Sequence, residues 1–508
     1  MKKFWKEKNF CNIIHFFCVL MFIVLFHYCL SLTGENKGPA GDEHIYFKRD
    51  LVLMNGVWIV LSLFILYLVG KISEKLTLKS RNIILGCACI LSGMISLYWV
   101  MASKVEPIAD QGLICQYADA FNMGDFNGLL TGRYVARYPQ QLGMVTLLRG
   151  LFKIFGSTQY KSFQYMNALL VPLLVLSGCK IVRLLSDNNA RTEFYYLIFS
   201  LCCFPMYAYT TFVYGDLISI ITGMFGVWMY LDCLRRFTWW KALIFGLSMG
   251  ITICLRMNFL ILVIALVIVM LIKLCFDRSR KHLIVLAALL LGCGVTQLAL
   301  WGMYRQVRTE DAPAIPSILF IVMGLNDDYQ YAGWHNQYEY VIFAEANDNV
   351  ALAKERGYED LRMYMEIFKN DPDYMVDFFV RKMNSQWNAP MYQSIAMNES
   401  VGGEQLPVVR ELFARGRLAE MLALWMKIFQ LLMYGGILFL LLYRRDKFMP
   451  MEWYLLLIAV FGGFLFSLMW EAKTRYILPY LFMQIPYMAM GINEIITVME
   501  QKIERKKG

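Results

Sequence analysis

The chain carries little charge for its size. Only 17% of its 508 residues are Asp, Glu, Lys or Arg, against 58% that are hydrophobic, and mean hydropathy is +0.47. This excludes a soluble domain, which could not cover so much apolar surface with so few polar groups. The 13 cysteines include no CxxC pair, and most of them, such as Cys18, Cys87, Cys89, Cys202 and Cys203, fall in or beside apolar runs. A disulfide framework is not built that way. The five histidines stand apart at positions 15, 27, 44, 282 and 335, which argues against a histidine-based zinc site. No internal repeat, low-complexity tract or Gly/Ser-rich linker divides the chain.

What the chain does have is apolar length. A hydrocarbon core of roughly 30 Å takes about 20 helical residues to cross. Runs suited to this occupy about 11–31, 51–70, 82–102, 166–184, 193–212, 216–234, 242–255, 257–273, 283–302, 421–443, 453–470 and 476–495. Each is continuously apolar without alternation, which predicts helices and not barrel strands. Only Arg256 separates the short runs 242–255 and 257–273. The first run is too long for a signal-peptide core, and no small-x-small site follows Leu32, so it reads as a retained helix. The expected fold is an all-α polytopic membrane protein of about twelve transmembrane helices.

Lys and Arg set the orientation. They crowd one set of short loops, for example Lys2, Lys3, Lys6 and Lys8; Lys71, Lys75, Lys79 and Arg81; Arg444, Arg445 and Lys447. The opposite set holds only Lys37, Lys48, Arg49, Arg256, Lys473 and Arg475. Both termini are therefore expected in the cytoplasm of a cell-membrane protein. The net charge of +10 then describes a collar against anionic lipid, with no nucleic-acid partner implied. Segments 103–165 and 303–420 fall outside. The expected organisation is two N-terminal helices (1–81), a core (82–302) with its outer loop 103–165, an outer segment (303–420), and C-terminal helices with a tail (421–508). Within 303–420, residues 347–368 and 374–383 read as helices broken by Asp371-Pro372-Asp373.

The outer face concentrates polar chemistry. Leu113, Ile114, Tyr117, Ala118 and Phe121 share one helical face, with Pro107 suited to the first turn and Asp110 near the start. A second apolar stretch, Leu142 to Phe155, could lie beside it. Between them the stretch 132–143 is rich in polar and aromatic groups suited to a sugar, Arg137, Tyr138 and Gln140 among them. Asp216 sits at a later outer turn, Arg256 at the next, and Trp470-Glu471-Ala472-Lys473-Thr474-Arg475-Tyr476 at the last. Taken singly, each has a plain reading as a solvated helix end, a snorkelling cation or an aromatic belt. Gly246 and Gly250 form a GxxxG, which means close helix packing. Asn398-Glu399-Ser400 matches a glycosylation sequon. Only Lys427 places a charge well inside a helix.

This arrangement resembles the GT-C glycosyltransferases, in particular the bacterial relatives of protein mannosyltransferases (family 39). The resemblance covers roughly residues 82–495. It rests on Pro107-Ile-Ala-Asp110-Gln111 after a membrane helix, Tyr138-Pro139-Gln140 downstream, Tyr214-Gly215-Asp216 at a later turn, and the 470–476 segment before the final helix. Two helices precede the one that leads into Asp110, more than the simplest family pattern has. Asp110 has no DxD or ExD partner, since Glu106 is four residues away, so a divalent cation is not clearly implied. The resemblance implies transfer of a sugar from a polyprenyl-phosphate donor to an outer glycan, lipid or protein acceptor. Asp110 would be the general base and Asp216 its assistant, and Arg256, Lys473 and Arg475 would receive the donor phosphate. The alternatives are a transporter or flippase for a lipid-linked glycan, or a glycan polymerase or ligase. A carrier would be expected to hold charge in its helix centres and does not need an outer segment as long as 303–420.

Overall fold

The computed structural model describes residues 2–36, 45–277, 279–308, 312–328, 331–398 and 402–505. Lys37, His44, Arg278, Lys506, Lys507 and the Glu399-Ser400 part of the sequon lie outside them. The molecule is an all-α polytopic membrane protein. Among the described residues, ten helices are long and apolar enough to cross a membrane: Glu7–Ser31, Val52–Ser73, Leu78–Ser103, Tyr160–Leu185, Asp216–Arg235, Met257–Asp277, Arg280–Tyr304, Arg417–Tyr443, Met451–Met469 and Thr474–Arg505.

The two remaining runs of the expected twelve are shorter. Trp239–Leu255 is apolar but has only 17 residues. Run 193–212 breaks into Ala190–Leu201 and Phe204–Ala208, followed by irregular backbone up to Gly215. Pro205 explains the break, because it has no N–H to give the carbonyl of Leu201 four residues earlier. The Tyr207 hydroxyl donates to that carbonyl instead (2.8 Å), and Trp425 Nε1 donates to the carbonyl of Cys202 (2.9 Å). Side chains thus satisfy a backbone that could not otherwise be exposed to lipid.

Lys427, well inside the Arg417–Tyr443 helix, is not left unpaired. Its ammonium lies 3.0 Å from Asp50 and donates to the carbonyls of Cys29 (2.6 Å) and Leu32 (2.8 Å). These partners mark the end of the first helix and the residue just before the second helix begins. The carboxylate of Glu193 sits at another helix terminus, bound by Arg81 (2.8 Å to Nε) and by Arg183. These buried charges are therefore paired, as burial demands. A short antiparallel hairpin, Leu32–Glu35 with Tyr46–Arg49, adds a little strand to the expected helices, and Gly34 N–H donates to the Asn388 carbonyl (2.7 Å).

The GxxxG reading holds in three dimensions. Helices Trp239–Leu255 and Arg280–Tyr304 touch backbone to backbone. A Cβ on Gly246 would strike the Ala288 carbonyl, and one on Gly292 would strike the backbone of Gly246. Gly292→Ala should destabilise the protein by about 1–3 kcal/mol through overpacking. Thermal unfolding in detergent tests this, and an unchanged midpoint would show that the helices can separate freely.

Several shorter helices form one layer at one end of the bundle. Ala109–Asn122 packs against Leu142–Phe155, burying Ile114, Ala118 and Phe121 against Met144, Val145 and Leu148. The two helices expected in the second long segment are Val350–Asn370 and Pro372–Trp387. Asp371 ends the first and caps the second by accepting from Tyr374 N–H (2.9 Å), as an N-cap aspartate does.

Candidate active site

The site is built where this layer meets the helix ends. Pro107 precedes the Ala109–Asn122 helix and does not occupy its first turn; Ile108 is the N-cap. Ala109 lies in the left-handed region (φ 49°), a conformation that costs a non-glycine residue about 1–3 kcal/mol. Asp110 follows at once, half-buried, in a first turn whose unpaired N–H groups favour negative charge.

Three phenols feel the charge of this carboxylate. Burial, then the charges of Tyr214 and Asp110, hold the Tyr134 hydroxyl well above its usual range. Burial and Glu339, with Asp110 and Glu471 adding, do the same to Tyr138. Tyr214 is raised by burial, with Arg256 opposing and Asp110 reinforcing. All three phenols are thus held toward the protonated form. Two glutamines hold the Tyr214 turn in place: Gln111 Oε1 accepts from Val213 N–H (2.8 Å), and the Gln141 amide donates to the Tyr214 hydroxyl.

Asp216 opens the next membrane helix and is 2% exposed. Its Oδ1 lies 3.3 Å from Arg256, while Oδ2 is buried without a hydrogen-bond partner. Gly215 makes the pairing possible, because a Cβ there would strike the Leu255 carbonyl beside Arg256. Burial disfavours the Arg256 charge, but Asp216 and then Tyr214 outweigh it and leave the guanidinium above its usual range.

The 470–476 segment closes the site. Ala472 N–H donates to the Gly333 carbonyl (2.7 Å), Thr474 Oγ1 to that of Ser385 (2.9 Å), and Arg475 N–H to Gln393 Oε1 (3.0 Å). So anchored, the segment brings the buried Arg475 guanidinium over the Tyr214 ring (5.4 Å). Arg256 lies over the same ring (5.0 Å), and both guanidinium groups also lie 5.4 Å from the Tyr476 ring. Two aromatic faces thereby hold two cations together, an arrangement cation–π attraction supports. Lys473 sits 3.7 Å from Glu471, whose other oxygen accepts from the Tyr476 hydroxyl (3.1 Å).

The structure therefore gathers Asp110, Asp216, Arg256 and Arg475 around Tyr214, with Lys473 on the adjoining loop. Arg137 is engaged elsewhere. It forms a two-nitrogen contact with Asp348 (3.0 and 2.7 Å) under the Tyr340 ring (4.5 Å), bracing the layer. Tyr138 donates to Glu339 (3.2 Å), and Gln140 is half-buried beside it. Sequence reasoning missed Tyr134, Glu339, His335 and Lys382. Tyr134 was visible in a motif-rich stretch, but nothing near Glu339 or Lys382 in sequence marks them. Lys382 is fully buried, its ammonium pushed down to about 7 by burial while Glu471 pulls the other way, and it donates to the Gly324 carbonyl.

Among the described residues no three or more His, Cys, Asp or Glu side chains are arranged to hold a metal ion. The carboxylates here do not make the oxygen set a divalent cation needs.

His335 Nε2 lies 3.5 Å from the buried Glu339. The Glu339 hydrogen bond raises the imidazole above its usual range; burial opposes it and Glu471 adds to it. A raised native pKa means the pair stabilises fully below the ordinary value of about 6.5 and fades as pH rises through the native value. His335→Ala should therefore lower the unfolding midpoint at about pH 6 and leave it near wild type at about pH 9. Equal losses at both would remove the ion pair from the account.

A family model described as "Conserved hypothetical integral membrane protein" matches residues 4–364. The chain belongs to that family. No curated protein matches it. Two similar solved structures are both from Archaeoglobus fulgidus. One is the oligosaccharyltransferase in its apo form, at 12% identity and a TM-score of 0.46. The other is the oligosaccharyltransferase AglB in complex with an inhibitory peptide and a dolichol-phosphate, at 11% identity and a TM-score of 0.41. Each match covers 84% of this chain and 52% of the other, so the chain spans about half the length of the structures it matches.

Proposed function

We propose that the protein is a membrane glycosyltransferase of the GT-C type, akin to family 39. It would transfer a sugar from a polyprenyl-phosphate donor to an extracytoplasmic glycan, lipid or protein acceptor. One observation carries this reading: the Asp110 carboxylate and the Arg256 and Arg475 guanidinium groups all act on the one Tyr214 phenol. A base for an acceptor hydroxyl and a seat for a departing phosphate thus share one neighbouring ring.

The chemistry follows from that placement. An acceptor hydroxyl is a poor nucleophile until a carboxylate takes its proton. Asp110 takes it as the hydroxyl oxygen bonds to the anomeric carbon. The bond from that carbon to the phosphate oxygen breaks on the opposite face, the configuration inverts, and the electron pair leaves with the lipid phosphate. A developing anion at a membrane boundary is poorly solvated, so fixed cations are most effective there; Arg256, Arg475 and Lys473 supply them. Asp216 keeps Arg256 in place and, with it, helps to orient the acceptor. Tyr138 and Gln140 line the acceptor side, with Arg137 as the brace behind them. Release of free polyprenyl phosphate from a lipid-linked sugar by purified protein is the decisive assay. A flippase would move the intact lipid-linked sugar across a vesicle and release none.

The reaction side is extracytoplasmic in this reading. Residues 103–165 and 303–420 then face outward, with 1–81 and 421–508 as flanking helical regions and both termini cytoplasmic. Val350→Cys, at the start of an exposed-layer helix, should react with an impermeant thiol reagent on intact cells. Labelling only after permeabilisation would reverse the topology.

A further inference from the structure

The junction that holds the 470–476 segment is built around one buried cation. Gly324, near the end of the Ser317–Leu325 helix, packs straight onto this segment: a Cβ there would strike the Met469 carbonyl and the Trp470 backbone. The turn that follows comes back at Gly333, in the left-handed region (φ 72°). Its N–H donates to the Asn326 carbonyl (2.7 Å), and its carbonyl accepts from Ala472 N–H (2.7 Å). Trp334 and Ala472 extend this contact as a parallel bridge. Lys382, on the Pro372–Trp387 helix, reaches the centre of the junction. Its ammonium donates to the Gly324 carbonyl, and a Cβ on Gly333 would strike both that ammonium and that carbonyl.

The charge of Lys382 does not serve stability. The side chain is fully buried, and burial lowers its pKa to about 7 against the pull of Glu471. The unfolded chain therefore holds this proton more tightly than the native protein does. Lys382 subtracts stability in full below about pH 7, and the loss fades as pH rises toward the ordinary lysine value of about 10.4. Neighbouring elements offer it little else. Asp327, on the turn, is taken by Arg381 (3.0 and 2.5 Å) and Tyr374 (3.1 Å). The Leu455–Met469 helix has no titratable side chain. Glu471 is shared with Lys473, 3.7 Å away, and its charge also reaches His335.

Resting on the transferase reading above, we infer that Lys382 is a positioning residue for the donor phosphate: its ammonium draws Gly324, Gly333 and Glu471 to one point and so sets where Lys473 and Arg475 stand. A charge-assisted hydrogen bond is roughly twice as strong as a neutral one, and the attraction to Glu471 exists only for the ammonium form. The neutral amine fills the same space but weakens both anchors. Ala472, which Gly333 holds, lies between Glu471 and Lys473, so loosening either anchor moves the cation itself.

The test compares wild type with Lys382→Met, which keeps the length of the side chain and removes its charge. Both are full-length proteins in lipid nanodiscs. The probe is a polyprenyl methyl phosphate, a diester whose charge is constant between about pH 6 and 9. Wild type should bind it roughly 3–10-fold more tightly than Lys382→Met at about pH 6, and within about twofold of it at about pH 9. Taking the ratio at each pH removes the titration of His335 and of every other group common to both proteins. Lys382→Met should unfold no lower than wild type at about pH 6, because it removes a buried charge; a structural role predicts a lower midpoint and a ratio that ignores pH. Lys382→Gln, which keeps an N–H donor without the charge, should follow Lys382→Met. A ratio that is the same at both pH values, or equal affinities at about pH 6, overturns the inference and leaves the transferase reading standing. No binding of the probe by wild type at either pH overturns both.

Discussion

Replacing Asp110 with Asn should lower turnover by about 10²–10⁴-fold, the usual contribution of a general base, while the protein still inserts and folds. Asparagine keeps the shape of the side chain and its place in the first turn of Ala109–Asn122 but cannot take a proton. The half-buried setting and the neighbouring phenols of Tyr134, Tyr138 and Tyr214 motivate the expectation. A purely structural role at the helix start predicts the reverse: reduced yield with near-normal activity per molecule. Measuring both quantities on one purified preparation separates the two, and near-normal specific activity would refute the catalytic role. Tyr134→Phe provides a useful companion, since it removes a hydroxyl beside the carboxylate and leaves the base itself intact.

Arg256→Ala should cost both stability and donor binding. It leaves the Asp216 carboxylate, 2% exposed, without its ionic partner 3.3 Å away. Breaking a buried pair on one side costs about 3–5 kcal/mol, because the remaining charge stays buried. Arg475→Ala and Lys473→Ala remove cations that lie over the Tyr214 and Tyr476 rings or 3.7 Å from the buried Glu471, and a clear loss of donor binding is expected. In all three variants donor affinity should fall more than acceptor affinity. Arg256→Ala combined with Asp216→Asn should recover part of the lost stability without recovering donor binding. Unchanged donor affinity in every single variant would leave these residues as markers of the membrane boundary.

What the sequence by itself determined was the class of molecule and the positions of the chemistry along the chain. Long apolar runs admit only one solution in lipid, so the membrane helices and most of their limits follow from composition. The helices Val350–Asn370 and Pro372–Trp387 follow from an amphipathic period broken by Asp371-Pro372, and the Gly246–Gly250 contact from residue size. Asp110, Asp216, Arg256 and Arg475 could be picked out because charge at a helix end in so apolar a chain is conspicuous. The tertiary structure alone decided which of these meet. The Asp216–Arg256 pair depends on a close backbone approach at Gly215, and Tyr214 becomes the shared platform only when Gln111 and Gln141 fix its turn. Arg137, which reads from sequence as a sugar contact, is instead taken by Asp348, 211 residues away. Lys427 reads as a lone charge within a helix until Asp50, Cys29 and Leu32, beside the ends of two neighbouring helices, take it up. Each of these is a long-range encounter between side chains. Local propensity and periodicity set what an element is and which face it buries, but they contain no information about which distant residue will face it.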